Sequence, residues 1–324
     1  MIKSFFATKQ WVKWAYGIGA LILLLILAQV YITVLFNDWY KEFYDILQQA
    51  TTTDVSEFYA SLKKFMYLAL PYIWIITLTN WVTKMYALRW REAITFNYLP
   101  RWIGIINDIE GASQRIQQDT ERFSRIVEGL GLSIVRAFMT LIAFIPILWG
   151  LSSSVDLPLI RDIPGSLMWI ALLVSVGGTV ISWFVGWWLP GLEYNNQVVE
   201  AAYRKKLVKA EDDHAVRGNS SLFVSLFAGV KFNYQKLYLH YGYFDLWAIT
   251  FSQFMVIVPY LIMGHGLFTG LITLGVMIQV SNAFSQVRES FSLFISRWTT
   301  ITELRSIWKR LHQFEAALEK RNEM

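Results

Sequence analysis

The chain has 324 residues, of which 55% are hydrophobic and 16% charged, with a mean hydropathy of +0.38. A chain this long and this apolar is not an ordinary soluble globular domain. The formal net charge of +5 does not point to nucleic acid, because the basic residues flank apolar runs and do not gather on one polar domain. No cysteine occurs, which excludes disulfides, thiol nucleophiles and cysteine-based metal sites.

In chain order, MIKSFFATKQWVKW gives a basic front to an apolar run longer than a signal-peptide core, with no small-residue cleavage site after it. It reads as an uncleaved first membrane helix over about residues 14–36. The helical pattern continues through NDWYKEFYDILQQA, which places Trp39, Phe43, Ile46 and Leu47 on one side. That aromatic patch reads as a packed helix extension. TTTD breaks the pattern, with Thr53 or Asp54 as the N-cap of the next helix. Further spans are expected at about 65–87, with Pro71 near its start, and at 132–151, 166–189, 244–263 and 271–295. Arg288 and Glu289 interrupt the last of these, so it does not face lipid all round. A polar stretch, 88–131, separates the second and third spans, and an amphipathic helix at about 299–320 closes the chain. The expected fold class is an all-α membrane protein of six transmembrane helices with long cytoplasmic extensions, forming one domain over 1–324.

Lysine and arginine set the orientation. With six spans, one side holds both termini and the long polar stretches, while the other carries only Lys41, Lys63, Lys64 and Arg161. The basic-rich side is expected to be cytoplasmic. Fifteen tryptophans and sixteen tyrosines suit the aromatic belts of a bilayer.

Two charged stretches stand out. In LPGLEYNNQVVEAAYRKKLVKAEDD, Glu193, Glu200 and Glu211 are seven and eleven residues apart; in NDIEGASQRIQQDTERFSRIVEGLG, Glu110, Glu121 and Glu128 are eleven and seven apart. At 100° per residue each step returns to within about 20° of one helix face. Two carboxylate lines beside membrane-length runs suit a cation- or proton-coupled carrier; the plainer reading is a solvated face with local ion pairs.

Other chemistry is missing. No Gly-Lys dipeptide occurs, so there is no Walker A loop, and there is no GxGxxG fingerprint. The four histidines, His214, His240, His265 and His312, lack metal spacing; His214, after Glu211, Asp212 and Asp213, is the one placed to titrate near neutral pH. Nothing supports an enzyme, a metal or an organic cofactor.

The six-span plan is similar to the membrane domain of a type I ABC exporter. WYKEFYDILQ, IEGASQRIQQDTERF, AFMTLIAFIPIL, LPGLEYNNQVVEAAYRKKLVKAEDD and SRWTTITELRSIWKRL together resemble the SbmA/BacA peptide-transporter family from about Phe36 to Arg310. The resemblance implies a homodimer in the bacterial inner membrane, without a nucleotide-binding domain, importing peptides and peptide-derived antibiotics on a proton gradient. Its acidic pattern falls on Glu200 and Glu211, with Glu193, Glu110 and Glu303 in neighbouring motifs. Glu121, Glu128, Glu289, Asp119 and Asp212 complete the candidate proton-coupling set. The chain departs from the family in a shorter N-terminal region, in Gln118 before Asp119, and in Glu289 where a small residue is expected. Partners implied are a second copy, a peptide and membrane lipid. Other readings are the membrane subunit of an ABC transporter served by a separate ATPase, a carrier of another cargo such as a vitamin, or a non-transporting scaffold.

Overall fold

The computed structural model describes residues 1–104, 111–154, 163–212 and 220–322. These form nine longer helical stretches and a short 3-10 helix, Ser152–Ser154, and no strand occurs among the described residues. The nine are α1 Ile2–Phe6, α2 Lys13–Gln48, α3 Val55–Ile103, α4 Ala112–Leu151, α5 Ser166–Gly186, α6 Leu189–Asp212, α7 Ser220–Phe268, α8 Leu274–Ser296 and α9 Trp298–Asn322. Five helical stretches are long and apolar enough to cross a membrane: α2, α3, α4, the stretch from Ser166 to Glu211, and α7. The protein is therefore an all-α membrane protein.

The helices outrun the bilayer. At 1.5 Å per residue, the 49 residues of α3 span about 74 Å, more than twice the roughly 30 Å hydrocarbon core. Pro71, Pro100, Pro146 and Pro259 sit inside helices without ending them, as membrane helices tolerate. Stops follow local chemistry. Asp54 caps α3, accepting from the Ser56 amide at 3.3 Å and its hydroxyl at 2.9 Å. These bonds, the side-chain one foremost, hold the Asp54 carboxyl below its ordinary value. Gly270, at φ 77°, turns the chain between α7 and α8 in a conformation that side chains rarely adopt.

The chain divides into two compact units, 1–173 with 259–324, and 174–258. In the first, α2, α3, α4 and α8 pack together. One core joins the front of the chain to its end: Phe5 and Trp11 pack with Trp90, Ile94 and Tyr98 of α3, Phe123 of α4, and Ile307, Leu311, Phe314 and Leu318 of α9. The α9 residues recur at three and four positions, one stripe of an amphipathic helix. Burying each contributes roughly 1.5–3 kcal/mol. Phe5 stacks on Trp90 with centroids 5.5 Å apart. A second cluster, Ile22, Ile26, Val30 and Val82, ties α2 to α3.

The aromatic patch after the first span is packed. Trp39 is buried, stacks on Phe43 at 4.8 Å and donates its indole N–H to the Ser61 carbonyl at 2.9 Å. In the second unit, Trp247 of α7 donates to the Ser182 hydroxyl of α5 at 2.9 Å. Phe251 of α7 lies where Gly178 of α5 has no side chain.

The sixth span is a helix, α8, but it falls outside the set apolar enough to cross by composition. Its apolar residues Met277, Val280, Ala283, Phe284 and Val287 are buried against neighbours, while Gln279, Asn282, Gln286 and Glu289 recur at three and four positions on another face. Of the line Glu110, Glu121 and Glu128, the last two lie on α4 and Glu110 lies outside the described residues. Gly111, at φ 73°, precedes α4, and a π-helical turn at Arg115–Asp119 shifts the register before Glu121.

Candidate functional site

Polar side chains meet at membrane depth inside the first unit. Gln29 of α2 and Thr79 of α3 are buried in otherwise apolar stretches. The Gln29 amide donates to the Thr79 hydroxyl at 2.5 Å, and Thr79 donates in turn to the Ile75 carbonyl at 2.6 Å. Arg136 of α4 donates from Nη2 to the Gln29 side-chain carbonyl at 2.7 Å. Gln29 and Thr79 thus find partners, which burial in hydrocarbon demands. A charge at bilayer depth costs about 2.5–3.5 kcal/mol on insertion scales, so an arginine retained there calls for a reason.

Arg136 also borders an opening between α4 and α8. The cavity measures about 200 Å³ and is lined by Ser133, Arg136, Thr140, Gln286, Glu289 and Ser290 among others. On α4 the steps 133, 136, 140 and on α8 the steps 286, 289, 290 each keep one face. The buried Nε of Arg136 has no hydrogen-bond partner, and among the described residues no carboxylate lies within ion-pair distance of this side chain. Glu289, by contrast, is exposed and stands 3.9 Å from Arg288.

A larger cavity, about 480 Å³, lies among α2, α3 and α4. Its walls are mainly apolar, with Ile22, Ile26, Tyr86, Trp90 and Val135, and Glu128 is the carboxylate on its lining. Thr83 and Lys84 are the polar neighbours of Glu128.

The other expected carboxylates fall into distinct settings. Asp119 is buried and held by two arginines: Arg310 of α9 at 2.8 and 3.0 Å in a two-pronged pair, and Arg115 at 3.0 Å. The hydrogen bond to Asp119, with its charge, holds the Arg310 guanidinium above its ordinary value, against a smaller opposing effect of burial. Glu303 of α9 meets Arg122 of α4 at 3.5 Å, a second rung of the same clasp. Glu121 pairs with Arg125 one turn away at 3.5 Å. In the second unit, Glu193, Glu200 and Glu211 all lie on α6. Glu193 and Glu200 are half-buried and Glu211 is exposed. The Tyr241 hydroxyl of α7 reaches Glu193 at 3.5 Å, a long contact. Glu110, His214 and the side chain of Asp212 lie outside the described residues.

Sequence reasoning missed Arg136 and Gln29. The signal was present, since an arginine four residues into an apolar run is costly, but basic residues were read for orientation. It also missed Asn37 of α2, whose buried side-chain amide has no partner on either atom, and Gln279 of α8, which donates to Asp38 at 2.8 Å.

Apolar helices of membrane length, long polar extensions and a charged interior define a multi-pass α-helical membrane protein. The chain belongs to the SbmA/BacA-like family, whose family model matches residues 8–319. It is similar to the Escherichia coli K12 protein named inner membrane ABC transporter ATP-binding protein YddA, with 26% identity over 93% of this chain. It is also similar to ABC transporter D family member 2, chloroplastic, of Arabidopsis thaliana, with 25% identity over 93% of this chain. The chain spans 57% of the first relative's length and 42% of the second's, about half of the curated relatives it matches.

Proposed function

We propose that this chain is a proton-coupled peptide importer of the bacterial inner membrane, taking up antimicrobial peptides and peptide-derived antibiotics as a homodimer by alternating access. The observation that carries this reading is membership of the SbmA/BacA-like family across residues 8–319. The carboxylates of α6 and the buried polar contacts of the first unit support it physically. In this reading protons from outside neutralise carboxylates, Glu200 and Glu211 first, and the loss of charge releases the helices that hold the cytoplasmic side closed. A membrane potential adds roughly 2.3 kcal/mol per charge per 100 mV. No nucleotide and no cofactor held by this chain is needed.

The test is uptake of a fluorescent cationic peptide into proteoliposomes holding only this chain, with and without an inward proton gradient and without nucleotide. Gradient-dependent uptake is expected, and Glu200→Gln or Glu211→Gln should abolish it while leaving the dimer folded. Uptake that ignores the gradient, or survives both substitutions, would remove the proposed coupling.

A second reading has its own observation. The Escherichia coli relative is named an ABC transporter ATP-binding protein, and this chain spans 57% of its length. The chain would then be the membrane subunit of an ABC transporter with the ATPase on another polypeptide. Co-purification of an ATPase and vanadate-sensitive uptake would favour this second reading.

A further inference from the structure

We propose that Arg136 is a carboxylate-binding residue that receives the C-terminal carboxylate of a peptide ligand in the cavity between α4 and α8. This rests on the reading of the chain as a peptide carrier and narrows it to the end of the peptide that is recognised.

Three observations support the assignment. The Arg136 guanidinium is fixed in place by one bond, from Nη2 to Gln29 at 2.7 Å, and Gln29 is itself held by Thr79. Its buried Nε has no partner, and no described carboxylate neutralises it. Arginine presents its donors as a planar fork matched to the two oxygens of a carboxylate, and a guanidinium anchored through Nη2 alone keeps donors to offer one. The space beside it is a half-open cavity in which polar side chains stand among apolar ones such as Leu132 and Leu293. Thr140 and Gln286 line it, and neither side chain is hydrogen-bonded within the described residues. Both can donate to the remaining lone pairs of a carboxylate.

Size and charge select the ligand. A cavity of about 200 Å³ is smaller than the roughly 300–1,000 Å³ of pockets that enclose a drug-sized molecule, so it takes one end of a chain. Glu289, on the α8 wall with Arg288 as its neighbour, is not the counter-ion of Arg136. A carboxylate on that wall disfavours a polyanion and suits a single carboxylate carried by an otherwise neutral or cationic chain.

The experiment compares trialanine with trialanine amide, measured by calorimetry on the full chain in phosphatidylcholine nanodiscs. The free acid should bind at least about tenfold more tightly, the scale of a charge-assisted hydrogen bond. Arg136→Gln should bring the acid down to the amide, and Arg136→Lys should restore part of the difference. The acid–amide comparison on the unmodified protein needs no variant to fold. Equal or absent binding of the two forms there would overturn the assignment, as would a preference kept by Arg136→Gln. Uptake of both forms into proteoliposomes separates the two readings. Acid-selective binding without uptake would sink the carrier and keep the Arg136 site. Gradient-driven uptake of both forms alike, without binding preference, would do the reverse.

Discussion

Asp119 shows how surroundings set the worth of a carboxylate. Its two arginines approach from different helices and its side chain is 2% exposed, while those of Arg115 and Arg310 are 26% and 32% exposed. Removing one partner of a fully buried pair costs about 3–5 kcal/mol; solvent at the arginines reduces this to about 1–3 kcal/mol here. Asp119→Asn should therefore lower the thermal unfolding midpoint clearly. Glu121→Gln, whose partner Arg125 is 66% exposed, should change stability by less than about 0.5 kcal/mol. Equal midpoints for the two variants in detergent would contradict the assignment of the clasp. Spacing in the sequence marked these acids but not their roles. Glu121 and Glu128 share a face of α4, yet seven residues put them about 10 Å apart along the axis. One pairs with an exposed arginine and the other lines an apolar cavity. A helical line specifies a direction, and the neighbours that decide function come from other helices. The partner of Arg136, Gln29, is likewise 107 residues away and could not be read from spacing.

At the scale of helices the sequence was far more readable. Membrane-length apolar runs and their punctuation marked α2, α5 and α6 to within a few residues, because hydrocarbon forces every backbone group into a helix. The long extensions of α3 and α7 were less legible, since polar residues outside the bilayer blur the apolar signal. The close approach of α8 to α2 could not be read at all. Gly275 donates its N–H to Asp45 at 3.0 Å, and a Cβ at this position would run into the Lys41 carbonyl and the Asp45 carboxylate. Gly275→Ala should destabilise by about 1–3 kcal/mol, the usual penalty of overpacking, and weaken the α2–α8 seam. Gly129, with open space where its Cβ would stand, makes the control. Gly129→Ala in the interior of α4 should stabilise by roughly 0.5–1 kcal/mol. Opposite shifts in unfolding midpoint are expected; a Gly275→Ala variant as stable as Gly129→Ala would mean that the two helices do not pack this closely.

The whole molecule turns on whether α8 crosses the membrane. Hydropathy alone finds five crossing stretches, and an odd number would place α9 on the side opposite the start of the chain. Packing within the first unit argues for a sixth crossing. The first residues of α8 meet the far end of α2, with the Leu274 amide donating to Gln48 at 2.7 Å and Gly275 to Asp45. After α8, α9 packs against Phe5 and Trp11 at the opposite end of α2. A helix that starts beside one end of a membrane span and delivers the chain to the other end has covered the same distance. It can be polar because α2 and α4 shield it from lipid, so a window of average hydropathy overlooks it. The chain contains no cysteine, so single substitutions report without background. Thr52→Cys and Thr269→Cys should react with a membrane-impermeant maleimide added outside intact cells, while Lys9→Cys and Gln313→Cys should react only after permeabilisation. All four positions are exposed. If Gln313→Cys instead labels from outside together with Thr269→Cys, α8 does not cross, and the basic-rich side of the chain is not on one face of the membrane. If all four sites keep their grouping but exchange sides, six crossings stand and the orientation drawn from lysine and arginine falls. The two results separate a question of packing from one of charge, and importing from exporting a peptide depends on the second.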